Sequence, residues 1–174
     1  MLILVLGGTR SGKSGVAESL VSRLPAPVTY IATLTPNPQD TDLMQRIEVH
    51  RDRRPSGWAT VDATAELPDQ LLAAAGSVLL DSLGPWVALH EPDDATIAEL
   101  CEALRRRVGD AVVVSDEVGM SVHAPTEAGR TFQDAIGMIN QRLAEIADQT
   151  MLVVAGRILQ TTPVETDVII DGGA

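Results

Sequence analysis

The chain has 174 residues, a formal net charge of −11 and few aromatic side chains, namely Tyr30, Trp58, Trp86 and Phe132. That length suits one domain over 1–174 with a core of Ala, Val, Leu and Ile. The charge argues against a general nucleic-acid or membrane-surface binder, and no apolar run reaches membrane-spanning length.

In chain order, residues 1–6 (MLILVL) form a short apolar run that reads as a buried parallel strand. The run lacks a charged n-region, so a secretory signal is not expected and the chain is expected in the cytoplasm. Residues 7–14 follow as GGTRSGKS, and 14–24 carry Val16, Leu20, Val21 and Leu24 at helical spacing before Pro25. Residues 28–33 (VTYIAT) read as a second strand, 34–41 as a loop with Pro36 and Pro38, and 42–53 as a helix with Leu43, Met44 and Ile47 on its apolar side. A short strand at 58–61 and a helix at 66–75 come next, then a buried strand at 77–81 (SVLLD).

Residues 95–108 are amphipathic and end in Arg105, Arg106 and Arg107, where cations suit the helix dipole. The single cysteine, Cys101, falls on this helix and is expected to pack there, since it cannot form an internal disulfide. Strands at 111–115 (AVVVS) and 151–155 (MLVVA) flank a long helix at 126–147 bearing Phe132, Ile136, Ile139, Leu143 and Ile146. The tail from 160 is weakly patterned, with 167–170 as a candidate edge strand. Strands alternating with helices predict an α/β fold, a P-loop NTPase-like domain with a mostly parallel central sheet.

Lys13 is the chain's single lysine, against twelve arginines. It stands in G-x-x-x-x-G-K-[ST], with Gly7, Gly12, Lys13 and Ser14 at the fixed places of a phosphate-binding loop. Loop amides cradle phosphate oxygens, and the following helix directs its positive end toward them. Lysine acts there as a compact point charge, whereas a planar guanidinium is too wide for the nest. Ser14 offers a hydroxyl to a Mg²⁺ ion bridging two phosphates, and Asp81, at a strand end, is the matching carboxylate. Asp81 also reads as an ordinary strand-end or helix-capping aspartate. Asp81-Ser82-Leu83-Gly84 spells D-x-x-G, but no second lysine exists for the guanine-reading segment of a GTPase switch.

In RIEVHRDRRP, residues 46–55, Arg46, His50 and Arg53 or Arg54 share a helix face. A histidine among guanidinium groups resists a second positive charge, which keeps the imidazole neutral and nucleophilic. The same arginines could hold phosphates. From the pattern alone, a solvated face with Glu48 and Asp52 as ion-pair partners is the favoured reading, because charge runs are usually surface. His90 and His123 fall in predicted loops without partners at metal-ligand spacing.

The ordered blocks GGTRSGKS, YIAT, RIEVHRDRRPSGW, LLDSLGPWV, VSDEVGMSVHAP and GRTFQDAIGMINQRLAEIAD, up to about residue 156, resemble the bifunctional adenosylcobinamide kinase / adenosylcobinamide-phosphate guanylyltransferase family of cobalamin biosynthesis. The resemblance implies that ATP or GTP phosphorylates adenosylcobinamide. It also implies that GTP then passes GMP, through a GMP-histidine intermediate, to adenosylcobinamide phosphate, giving adenosylcobinamide-GDP. His50 matches the nucleophile and Lys13 the catalytic lysine.

The nucleotide contacts implied are Gly7, Gly8, Thr9, Arg10, Ser11, Gly12, Lys13, Ser14, Ala32, Thr33, Leu34, Arg51, Asp52, Arg53, Arg54, Asp62 and Asp81, with Ser14 and Asp81 on Mg²⁺. A homotrimer is implied too. The chain departs from the family's usual residues at Asp62 (glutamate), Asp116 (asparagine) and Ala88-Leu89 (serine-asparagine), and in its tail.

Overall fold

In the computed structural model, residues 1–163 are described apart from 35, 37, 38, 121 and 123, and apart from the side chains of Asp42, Leu43 and Arg46. The elements are β1 (Leu2–Gly7), α1 (Lys13–Val21), β2 (Val28–Ala32), α2 (Thr41–Arg53), β3 (Ala59–Asp62), α3 (Leu67–Ala73), β4 (Ser77–Asp81), α4 (Leu83–His90), α5 (Asp94–Arg106), β5 (Ala111–Asp116), α6 (Glu127–Ile146), β6 (Gln149–Val154) and β7 (Arg157–Thr161). Their strands form one seven-stranded sheet in the order β3-β2-β4-β5-β1-β6-β7. Every pairing is parallel except β6 with β7. The P-loop NTPase-like α/β reading therefore holds.

The central strands are apolar on both faces because helices cover both. Leu2, Leu4, Leu80 and Val113 face one core with α3, α4, α5 and α6, including Trp86, Leu100, Ile136 and Leu143. Ile3, Val5, Leu79 and Val114 face the other, against Ala17 and Val21 of α1. Side chains alternate along each strand, so one strand feeds both cores. Cys101 packs half-buried against the first core, as its helix position predicts, and burial pushes its thiol up. None of the described side chains of α2 enters either core.

Parallel pairing brings the strand ends to one edge. Gly7 is in register with Asp116, and Ala32 with both Asp62 and Asp81. Ligand sites of open α/β sheets lie outside these carboxyl ends. No helix among the described residues is long and apolar enough to cross a membrane.

The structure differs from the sequence expectations in four places. His90 closes the last turn of α4 and does not lie in a loop. The strand at 151–155 instead spans Gln149–Val154, and Ala155 and Gly156 turn the chain with positive φ. β7 follows this turn as an antiparallel edge strand. Residues 167–170 and His123 lie outside the described residues.

Arg107 is the fourth difference. It leaves α5 and is buried, because its guanidinium donates to the carbonyls of Gly109 (2.8 Å), Asp110 (2.5 Å), Gly76 (2.9 Å) and Ala74 (3.4 Å). Burial lowers its pKa, and Asp110 partly offsets this. The knot ties the loops before β4 and β5 at the sheet edge opposite the strand ends. Arg107→Leu is expected to destabilise the fold by about 2–3 kcal/mol, since carbonyls bonded to a charged donor lose it together. Urea unfolding is the check, with an unchanged nucleotide Kd separating stability from function.

Candidate active site

The turn from β1 into α1 is shaped by its glycines. A Cβ on Gly7 would stand 2.5 Å from Ser11 Oγ and 2.8 Å from the Val153 carbonyl. Gly12 has φ +94°, the left-handed region that glycine enters freely. Helix α1 then begins at Lys13, with its amide end facing a cleft of about 470 Å³.

Lys13 Nζ lies 2.9 Å from Asp116 Oδ1 and donates to the Gly8 carbonyl at 3.3 Å. The loop's cation is thus held across its mouth by the end of β5. Asn140 of α6 fixes that strand end by donating to the Asp116 carbonyl at 3.0 Å.

Asp81 is buried at the end of β4, and both of its oxygens are engaged. Ser14 Oγ donates to Oδ1 at 3.0 Å, and the Tyr30 hydroxyl donates to Oδ2 at 2.8 Å. Tyr30 is held firmly protonated: burial raises its pKa most, Asp81 raises it further, and Arg54 opposes both. The Arg54 guanidinium carbon lies 3.5 Å from the Tyr30 ring centroid, a cation–π stack that docks the end of α2 onto β2.

His50 reaches the same place from α2. Its Nδ1 is 3.2 Å from Arg53 Nη2, 3.6 Å from Asp81 Oδ2 and 3.7 Å from Glu18 Oε1. Arg53 Nη2 also donates to Glu18 Oε1 at 3.4 Å. The expected ring of guanidinium groups is therefore mixed with carboxylates, and those carboxylates come from α1 and β4. Glu18, His50 and Asp81 each present one potential ligand atom within 4.8 Å of the others.

Of the residues expected at the site, Thr9, Arg10, Ser11, Gly12, Lys13, Ser14, Ala32, Leu34, His50, Arg53, Arg54 and Asp81 line this cleft. Gly7 and Gly8 are outside the lining, although the Gly8 carbonyl accepts from Lys13 Nζ. Thr33 is buried beside it, trading hydrogen bonds with the Ser82 backbone. Arg51 and Asp52 point to solvent from α2. Asp62, exposed at the end of β3, is also outside the lining, and its carbonyl accepts from Gln70 Nε2 at 2.9 Å.

Sequence reasoning missed Glu18 and the pairing of Asp116 with Lys13. Glu18 had a usable signal, since it lies one helical turn beyond Ser14 and so on the same face of α1. Asp116 had one too, as the polar end of the strand that pairs with the strand leading into the phosphate loop.

A family model described as cobinamide kinase / cobinamide phosphate guanyltransferase matches residues 3–161. The bifunctional adenosylcobalamin biosynthesis protein CobU of Salmonella typhimurium is 36% identical over 178 residues, covering 90% of this chain and 97% of that protein. The protein of the same name from Escherichia coli is 34% identical with the same coverage. The corresponding protein CobP of Pseudomonas aeruginosa is 34% identical over 162 residues, covering 88% of this chain and 92% of that protein.

Solved structures resemble the fold at lower identity. An ATPase from the type III secretion system of pathogenic bacteria superposes with TM-score 0.52 at 12% identity, over 87% of this chain and half (50%) of its own length. A protein of Pyrococcus horikoshii OT3 gives 0.54 at 10% identity, over 96% and 88%. A strand-edge cleft built on a phosphate loop, together with relatives matched over nine-tenths of the chain, makes this chain a member of the cobinamide kinase / cobinamide phosphate guanyltransferase family and an enzyme of cobalamin biosynthesis.

Proposed function

We propose that the one cleft serves two reactions in turn, phosphorylation of adenosylcobinamide by ATP or GTP and guanylylation of adenosylcobinamide phosphate by GTP. The observation that carries this reading is that Lys13 and His50, from different elements, line the same cleft. A phosphate chain gripped at Lys13 would present its γ-phosphorus to an acceptor hydroxyl. Its α-phosphorus would lie farther along, toward the face that bears His50.

In the transferase half, an imidazole nitrogen of His50 attacks the α-phosphorus of GTP. The bond from that phosphorus to the β-bridging oxygen breaks, and pyrophosphate leaves with the electron pair. A phosphate oxygen of adenosylcobinamide phosphate then attacks the same phosphorus. The P–N bond breaks, His50 is restored, and adenosylcobinamide-GDP leaves. Arg53 and Arg54, both lining the cleft, oppose the charge that builds on the phosphate oxygens.

In the kinase half, Lys13 holds the β- and γ-phosphates while the aminopropanol oxygen bonds the γ-phosphorus. The bond from that phosphorus to the β–γ bridging oxygen breaks, the nucleoside diphosphate leaves with the electron pair, and the hydroxyl proton passes to solvent. Mg²⁺ fits the donor set, because Ser14 and Asp81 present hard oxygens 3.0 Å apart at the cleft. Bound there, the ion would neutralise charge on the phosphate oxygens. A homotrimer, implied by family resemblance, and a cytoplasmic setting, expected from the sequence, are part of the same proposal.

Lys13 must exchange its Asp116 partner for phosphate when nucleotide enters. Asp116→Asn is therefore expected to tighten triphosphate binding about two- to fivefold, the range of a partly exposed ion pair. Calorimetric titration measures it. Weaker binding in the variant would instead make Asp116 a contributor to nucleotide or metal binding.

Paired assays test the whole reading. Adenosylcobinamide with ATP or GTP should yield its phosphate, and that product with GTP should yield adenosylcobinamide-GDP and pyrophosphate. Phosphorylation without any guanylyl transfer would reduce the enzyme to a kinase and leave the His50 face as a phosphate clamp.

A further inference from the structure

Two carboxylates approach His50, and they are not equivalent. Asp81 accepts hydrogen bonds from Ser14 on one oxygen and from Tyr30 on the other. Glu18, half-buried on α1, accepts from Arg53, the same guanidinium that lies 3.2 Å from His50 Nδ1. Arg53 Nη2, Glu18 Oε1 and His50 Nδ1 form a triangle with sides of 3.4, 3.2 and 3.7 Å. In this arrangement Arg53 donates to Nδ1, which leaves the ring proton of a neutral imidazole on Nε2. That tautomer has no lone pair to offer from Nε2.

We infer that Glu18 is the positioning residue that turns His50 into a nucleophile, by taking Nδ1–H so that Nε2 carries the GMP. The inference rests on the reading of His50 as the nucleophile. The phosphates of GTP compete for Arg53, whose side chain is almost half exposed (45%) and lines the cleft. Once Arg53 turns to phosphate, Glu18 faces Nδ1 without a competing donor. A shift of less than 1 Å closes the 3.7 Å gap to an ordinary charge-assisted hydrogen bond of about 2.8 Å. Contacts of this kind often tighten only when substrate is bound.

The proton and electron balance needs no further reagent. The Nε2 lone pair forms the bond to the α-phosphorus, and the pyrophosphate oxygen takes the electrons of the bond that breaks. The ring keeps its proton on Nδ1 and becomes cationic, and the Glu18 carboxylate opposes that charge. When the corrinoid phosphate attacks, the P–N electrons return to Nε2 and the ring is neutral again. Glu18 never exchanges a proton with substrate, so it acts through His50 only.

Rapid-quench labelling with α-labelled GTP, with NMR assignment of the phosphohistidine isomer in the labelled protein, tests this. The wild-type label is expected on Nε2. At saturating GTP, Glu18→Gln is expected to acquire label about tenfold more slowly or worse, as one charge-assisted bond is lost. Its GTP Kd should stay within about threefold of wild type, and Glu18→Asp should recover part of the rate. Label on Nδ1, or a Glu18→Gln rate equal to wild type at saturation, would overturn the inference. If Glu18→Gln fails to hold GTP, the isomer found in the wild type still decides. A wild-type protein that binds GTP and takes no histidine label would instead overturn the nucleophile reading itself.

Discussion

His50→Ala is expected to lower guanylyl transfer on the order of 10⁴-fold or more, the scale seen when a covalent nucleophile is removed. Phosphorylation of adenosylcobinamide should continue, because attack on the γ-phosphorus needs no histidine. The loss should fall on kcat, since Lys13 and the loop amides still hold the nucleotide. Separate steady-state assays of the two reactions measure the split. The direction follows from placement: His50 sits on α2, which adds no described side chain to either core, so truncation leaves no cavity there. A His50→Ala enzyme that still transfers GMP at near wild-type rate would exclude the covalent route.

Lys13→Ala carries the second large effect, a loss of about 10²–10³-fold in both reactions, comparable to removing one preorganised charge donor. Its physical basis is the shared grip, since both reactions need the triphosphate anchored in the same loop. Lys13→Arg should not restore either activity. The loop is tight enough that a Cβ on Gly7 would fall 2.5 Å from Ser11 Oγ, and a planar guanidinium needs more width than an ammonium. The chain's single lysine also gives a direct readout of occupancy. Amine-selective modification of Lys13 should be slowed by GTP and by ATP, measured by peptide mapping.

The phosphate loop, the strand that enters it and the carboxylate of β4 were legible in the sequence because each depends on local pattern. An apolar run, glycines at fixed spacing and a polar strand end survive any tertiary context. Helix α4 was not legible. Its sequence LGPWVALH is short and apolar on nearly all sides, with Gly84 and Pro85 in the first turn, so no amphipathic period marks it. β7 was hidden for the opposite reason, since all five of its residues are exposed and only pairing with β6 makes it a strand.

At the site, spacing alone favours a solvated, ion-paired face for the arginine-rich stretch of α2, and the family resemblance reverses that preference. What separates the two readings is the company His50 keeps, and that is set by α1 and β4, far away in sequence. Arg107 shows the same limit. Its run with Arg105 and Arg106 looks like a helix-dipole complement, yet the chain turns at Arg107 and four carbonyls from two loops converge on it. Side-chain partners at long sequence separation decide both cases, and no window of local pattern contains them.

The central claim is that His50 carries GMP in the cleft anchored by Lys13. Incubation with α-labelled GTP and Mg²⁺, followed by quenching, digestion and peptide mapping, tests it most directly. The account predicts one GMP per chain, acid-labile and base-stable, on the peptide containing His50, and discharged on addition of adenosylcobinamide phosphate. Bound GTP with no covalent nucleotide, or a stable label on any other residue, would contradict it.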